Sequence, residues 1–479
     1  MNSLKKQATN SVLWSAVERF SVQGIQYIIS IILARLLFPS DYGLIAMLSI
    51  FLAVIQSIID GGFGYALIQK KNPSKVDYST VFYFNLLVSI GLYILLYYSS
   101  PLIARFYESP ELDLVTKVVG LVLIINSLGI IQQTRLTIEL NFKSQAIAAF
   151  VSVVISGVVG VILAYKGFGV WALVYHTLFN NLLRVILLWI FAYWRPSLVF
   201  SFESFSTMFS FGSKILFSSV LHTIYTNLYT LVIGKKFAET ELGYFNRAST
   251  LAQFPSSNLT NVIVKAIYPI QCKIQDDDQE LKRTFLVYMR MSCYVIFPLM
   301  IGLAVLAEPM IRVVLTDKWL PAVPLFQILC IAYMWDPVMK LNHNILNVKG
   351  RSDYFFHAEI IKKTLAVIIL VATIPFGILV MSLGLILYAF VDMFVIVFYS
   401  RKLTGISFRK QIASLSPILI LSLSMGGVVY ITTHLFASPW ISLLIGSVVG
   451  IIYYFVASHL FRFHEFSLLL SLVRSKSAL

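Results

Sequence analysis

Residues 33–43 read LARLLFPSDYG and residues 233–243 read IGKKFAETELG, and the two stretches align without a gap. Arg35 falls on Lys235, Ser40 on Thr240, Asp41 on Glu241 and Gly43 on Gly243. The shared pattern is a small residue, a base, four spacers, a hydroxyl, an acid, any residue and glycine. Pro101-Leu102-Ile103 likewise matches Pro309-Met310-Ile311 at a similar offset. Chance competes as an explanation for one short match in an apolar chain; two matches favour duplication. Repeats six spans apart share an orientation in the membrane, so duplication implies two six-helix lobes related by a pseudo-two-fold along the membrane normal.

Working outward, apolar runs of about 20 residues recur from end to end, each long enough to cross a hydrocarbon core of about 30 Å. Of the 479 residues, 58% are hydrophobic and 12% charged, with a mean hydropathy of +0.83. A soluble domain is about half apolar and about a quarter charged, so this chain lacks a polar skin. The runs are continuous rather than alternating, which selects helices over barrel strands. The expected fold is all-α and integral to the membrane, with about fourteen transmembrane helices. Residues 1–200 form one six-helix lobe and 201–405 the other; 406–479 supply two further helices and a cytoplasmic tail.

The formal charge is +15. The basic residues cluster in short loops between apolar runs, where the positive-inside rule places them, and not in a patch suited to nucleic acid. An even number of spans puts both termini on one side, and Lys5 and Lys6 mark it as cytoplasmic. Ser11 to Leu37 is too long for a signal peptide and reads as a retained span. Cys272, Cys293 and Cys330 lack metal-ligand spacing and are odd in number, which argues against a disulfide framework. No metal site or cofactor is expected.

Charges inside spans are costly and mark cavities or partners. Arg19, Arg184, Lys214, Lys265, Arg290 and Lys340 all fall in the cytoplasmic half of this topology. If they converge they form a cationic vestibule suited to a phosphate or pyrophosphate; snorkelling to the interface competes, most strongly for Lys265 and Arg290. Asp336 and Lys340, four residues apart, can pair on one helix face. Asp336 and Asp392 are candidates for proton or cation coupling, with a structural hydrogen bond as the alternative for Asp392. In Asp60-Gly61-Gly62-Phe63-Gly64, the three glycines Gly61, Gly62 and Gly64 suggest a hinge or broken helix, or else close helix packing. Asp276-Asp277-Asp278 reads as a solvated turn at a helix N-terminus.

Several segments carry a family resemblance: VERFSVQGIQYIISIILARLLFPSDYGLIAM at 17–47, STVFYFN at 79–85, FGSKILFSS at 211–219, LAQFPSSNLTNV at 251–262, YPIQCKIQDDD at 268–278 and FPLMIGLAVLAEPMIRVVLTDKW at 297–319. With them the chain resembles the Wzx-type polysaccharide flippases of the multidrug/oligosaccharidyl-lipid/polysaccharide exporter superfamily. The resemblance implies fourteen helices, two lobes plus a terminal pair, working by alternating access in the bacterial inner membrane. It implies a substrate, an oligosaccharide on undecaprenyl pyrophosphate moved from the cytoplasmic to the periplasmic leaflet, and basic residues such as Arg19, Lys214 and Lys340 around the pyrophosphate. Membrane lipids, a glycan polymerase and export proteins are the implied partners. A multidrug antiporter of the same superfamily is the alternative. A membrane polymerase fits worse, because the longest loops, about 14 residues, leave no room for a catalytic domain. The expectation is a transporter and not an enzyme.

Overall fold

The computed structural model describes residues 22–70 and 72–469. Arg19, with Lys5 and Lys6, lies outside the described residues. Every regular element described is helical, and packing divides the chain into two compact units, one ending at Gly243 and the other beginning at Tyr244. The first holds α1 Val22–Leu36, α2 Pro39–Asp60, α3 Phe63–Gln69 and α4 Lys75–Tyr107. It continues with α5 Glu111–Val119, α6 Leu121–Ser127, α7 Ile130–Ile138, α8 Phe142–Tyr165, α9 Val170–Phe191, α10 Phe202–Thr226 and α11 Leu228–Lys236. Helix α12, Glu239–Lys273, starts in the first unit and runs into the second. There follow α13 Asp278–Val305, α14 Ala307–Val314, α15 Ala322–Tyr333, α16 Asp336–Val348, α17 Ser352–Thr373, α18 Ile378–Thr404, α19 Phe408–His434 and α20 Pro439–Leu460.

Ten helical stretches among the described residues are long and apolar enough to cross a membrane, and eleven if the pair α10–α11, bent by 42°, counts as one span. By this measure the expected number of about fourteen spans is not reached. The reason is chemical: between Arg247 and Lys265 α12 is rich in Ser, Thr, Asn and Gln, and α17 carries Glu359, Lys362 and Lys363, so neither helix qualifies on composition. The described part of α1 is too short. The chain is nonetheless a multi-pass membrane protein, since ten such helices leave no soluble core.

Local chemistry sets the helix ends. Ser74 Oγ accepts from the Asp77 amide and Asp77 Oδ2 accepts from the Ser74 amide, a reciprocal box that starts α4. Ser201 and Asn141 cap α10 and α8 one way only, accepting from the Ser204 and Ser144 amides. The bend between α10 and α11 falls at Asn227, whose side-chain amide donates to the Thr223 carbonyl at 2.9 Å. A side chain competing for the helix ladder is a recognised cause of such a kink.

The two repeated motifs meet. A Cβ built on Gly43 would stand 1.8 Å from the Glu239 carbonyl oxygen, and one on Gly243 would stand 1.9 Å from the Pro39 carbonyl oxygen. The contact is reciprocal: the glycine of each motif faces the residue four before the glycine of the other. Close beside it Lys235 donates to Glu108 at 2.9 Å, which holds that carboxyl below the ordinary carboxylate range, and Gly234 packs on Tyr107. At its other end α2 stops at Gly61 and Gly62, with φ of 51° and 73°, in the left-handed region that glycine tolerates. There a Cβ on Gly62 would lie 2.7 Å from the Gly212 carbonyl oxygen, and one on Gly212 would lie 2.7 Å from that of Gly61. Helix α10, which the sequence assigns to the second lobe, therefore packs on α2, α3 and α4 within the first unit.

Gly243→Ala forces carbon into that backbone contact and is expected to lower stability by about 1–3 kcal/mol, measured by thermal melting in detergent. Gly427→Ala, where a Cβ meets nothing within 4 Å, is the control and should leave melting unchanged. Equal behaviour of the two variants would contradict the packing described.

Candidate functional site

The break after Asp60 opens a cavity of about 510 Å³ within the first unit, among α2, α3, α7 and α10. Its polar wall is Ser57, Asp60, Gln133, Thr134, Thr137 and Ser219. Asp60 Oδ1 accepts from Gln56 Nε2 at 2.8 Å, and Gln56 Oε1 accepts from Asn126 Nδ2 at 3.1 Å, so a relay from α6 fixes the carboxylate. Among the described residues Asp60 has no ion pair. Arg184, expected in the vestibule, stands at the edge and donates from Nη2 to Gln133 Oε1 at 3.4 Å. Gly61, Gly62 and Gly64 all belong to this region: the first two form the break and the third lies against Thr134 Oγ1. The broken helix expected from these glycines is present.

The second unit holds a different arrangement. Lys362 on α17 is buried, and its ammonium lies 2.6 Å from Glu359 on the same helix, 3.1 Å from Asp392 on α18 and 2.9 Å from His343 Nε2 on α16. The approach to Asp392 Oδ1 is off hydrogen-bond geometry, so charge alone holds that oxygen. Glu359 also meets His343 at 3.4 Å and Lys363 at 3.7 Å. One residue pair away, Asp336 and Lys340 face each other at 3.3 Å, as their spacing suggested, and Lys340 donates to Ser257 Oγ at 3.0 Å. Two carboxylates and an imidazole, from α16, α17 and α18, thus converge on one ammonium. Sequence reading found Asp392 and missed Lys362. The available signal was the crowding of Glu359, Lys362 and Lys363 on one face of an otherwise apolar run.

The remaining candidates are dispersed. Arg290 pairs with buried Glu465 and donates to the Ser414 carbonyl at 2.8 Å, which ties the segment after α20 to α13 and α19. Lys265 is exposed on α12, and Lys214 lies on α10. Asp277 caps α13, accepting from the amides of Gln279 and Glu280 at 3.0 Å each, and Asp278 pairs with Lys349 at 2.8 Å. That is the helix-terminal role expected of the triple aspartate. The second unit also contains an apolar groove of about 350 Å³ between α13, α19 and α20, lined by Tyr294, Pro298, Leu299, Met425, Val429 and Gly450 among others.

Lys362→Met would leave Asp392 buried with no cation, and breaking a buried pair from one side costs about 3–5 kcal/mol. The expected result is a clear loss of thermal stability, with most of it regained when Glu359→Gln and Asp392→Asn are added. A single variant as stable as the parent would show that the charges are not coupled.

Comparison with known proteins gives a consistent picture. A family model described as "Polysaccharide biosynthesis protein" matches residues 32–324. The chain is 26% identical over 449 residues to the lipopolysaccharide biosynthesis protein WzxC of Escherichia coli K12, covering 88% of each. It is 22% identical to the succinoglycan biosynthesis transport protein ExoT of Rhizobium meliloti 1021, covering 68% of this chain and 66% of that one. Among solved structures, the lipid II flippase MurJ in an inward closed conformation superposes with a TM-score of 0.75 at 16% identity, over 94% of this chain and 99% of that one. At that identity the likeness speaks for the fold.

Proposed function

This chain belongs to the polysaccharide biosynthesis protein family, and from that membership we propose that it flips a lipid-linked oligosaccharide between membrane leaflets for surface polysaccharide assembly. The carrying observation is the family match over residues 32–324, on a fold shared with a lipid flippase. The substrate on this reading is an oligosaccharide on undecaprenyl pyrophosphate, taken from the cytoplasmic leaflet and released on the outer one. The protein acts as a transporter in the inner membrane, with both termini cytoplasmic, and delivers to polymerising and exporting partners.

Each part of the substrate has a counterpart in the chain. The polyprenyl tail is hydrocarbon, and the groove between α13, α19 and α20, all three long and apolar enough to span, offers an apolar wall. The pyrophosphate is anionic, and Arg19, Arg184, Lys214, Lys265, Arg290 and Lys340 are the basic groups proposed to meet it on the cytoplasmic side. Of the described set, Lys340 is paired with Asp336 and Arg290 with Glu465, while Arg184 donates to a neutral carboxamide, which favours Arg184 on this reading. Lobes of residues 1–200 and 201–405 would rock about α2, with Gly61, Gly62 and Gly64 as the hinge and residues 406–479 alongside. Moving the anionic head group outward is favoured by a cell-inside-negative potential, about 2.3 kcal/mol per charge per 100 mV. Proton or cation coupling on this reading uses Asp336 and Asp392, which face Lys340 and Lys362.

The test is genetic. In a strain deleted for this gene, lipid-linked oligosaccharide should accumulate on the cytoplasmic leaflet while surface glycan falls, and the intact gene should reverse both. A copy with Arg184, Lys214 and Lys340 neutralised together, expressed normally, should fail to do so. Unchanged glycan with raised drug sensitivity would replace this reading with a multidrug antiporter.

A further inference from the structure

The cavity at the α2 break is built for a ligand, and its chemistry selects the kind. Its described wall contains three types of neutral hydrogen-bonding group: hydroxyls on Ser57, Thr134, Thr137 and Ser219, the Gln133 carboxamide, and peptide groups around Gly62 and Gly64. Hydroxyls both donate and accept, and a carboxamide does the same from separate atoms. To this set Asp60 adds one carboxylate, positioned by Gln56 and unpaired with any described cation. A volume of about 510 Å³ is within the usual size of small-molecule sites, roughly 300–1,000 Å³.

Three ligand classes can be weighed against this wall. A phosphate or pyrophosphate would meet a carboxylate inside and, among the described residues, a base only at the edge, where Arg184 donates to Gln133. Like charges in a partly desolvated space repel, so the anionic part of a substrate is disfavoured. A lipophilic organic cation would welcome Asp60 but needs apolar and aromatic faces around it. The described apolar lining is three isoleucines, Ile68, Ile130 and Ile215, with no ring. A neutral sugar fits both features. Its hydroxyls satisfy a wall of mixed donors and acceptors, and two adjacent hydroxyls can donate together to one carboxylate, a charge-assisted pair of bonds.

We propose that this cavity is a saccharide subsite that takes a neutral sugar unit, with Asp60 accepting from its hydroxyls and excluding acidic sugars. The assignment rests on the reading of the chain as a carrier of lipid-linked oligosaccharide and names the part of that substrate met here. It separates the two polar parts of the load: the glycan inside the cavity at Asp60, the pyrophosphate at the basic side chains outside it, with Arg184 at the edge between them. It also makes Asp60 a specificity-determining residue, because a uronic acid placed there would set carboxylate against carboxylate.

The test uses the full-length chain in nanodiscs with Ile68→Cys as reporter on the cavity wall and Cys272→Ser, the other two cysteines being buried. The rate of maleimide labelling is followed with neutral trisaccharides (maltotriose and chitotriose), trigalacturonate, sodium pyrophosphate and tetraphenylphosphonium. A neutral trisaccharide should slow labelling while trigalacturonate and pyrophosphate do not. Asp60→Asn should raise the concentration of neutral sugar needed by about tenfold, the worth of a charge-assisted hydrogen bond, and should admit trigalacturonate. Thr134→Val, which leaves the charge intact, should weaken sugar protection without admitting the acid. Protection by pyrophosphate or by tetraphenylphosphonium alone, or by no probe, would overturn the assignment. Surface glycan restored in the deletion strain without sugar protection defeats this assignment only. Sugar protection without restored glycan defeats the flippase reading and leaves the subsite standing.

Discussion

The structure depends on a backbone contact that has no room for a side chain. Gly43 faces the carbonyl of Glu239, and Gly243 faces the carbonyl of Pro39, each closer than any Cβ could approach. Because the two halves of the contact are reciprocal, one substitution on either side disturbs both. The contact fixes the start of α2 against the start of α12, and the Lys235–Glu108 pair and Tyr107 surround it. At the far end of α2, Gly62 and Gly212 repeat the same solution. Helix α2 is thereby held at both ends by glycine, and a contact of peptide on peptide can separate without unsatisfying a buried charge.

The intramembrane charges divide by unit. In the second unit they neutralise one another: Lys362 draws Glu359, Asp392 and His343 from three helices, and Lys340 meets Asp336. Such a closed set is stable only when complete, since each member left alone would carry a large desolvation penalty. In the first unit Asp60 has no ion pair among the described residues and stands beside a row of hydroxyls. A carboxylate kept in a cavity without a cation is poorly explained by stability and well explained by a ligand that donates hydrogen bonds.

Much of this could be read from the chain, and the reasons differ by feature. Membrane insertion was legible because an apolar run of span length has few other uses. The repeat was legible because its glycines are demanded by contact geometry that tolerates no replacement. The Asp336–Lys340 pair and the break at Gly61-Gly62 are local, so spacing alone suffices. Lys362 was not legible as a centre, since His343 and Asp392 reach it from other helices. Arg290 was read as a vestibule base or a snorkelling side chain for the same reason: its partner, Glu465, is 175 residues away. The number of spans is legible only as far as composition goes: α17 carries Glu359, Lys362 and Lys363, whose partners the sequence does not display. The hydroxyl-lined cavity needed α7 and α10 brought beside α2, which no periodicity announces.

The central claim is that this chain moves a lipid-linked oligosaccharide from one leaflet to the other. The most direct measurement reconstitutes the purified protein in vesicles carrying a fluorescent undecaprenyl-pyrophosphate oligosaccharide on one leaflet and follows its exposure to a membrane-impermeant quencher on the other side. The account predicts transfer that scales with protein content and far exceeds that of empty vesicles. Transfer no faster than in empty vesicles, from protein whose fold is intact, would contradict it.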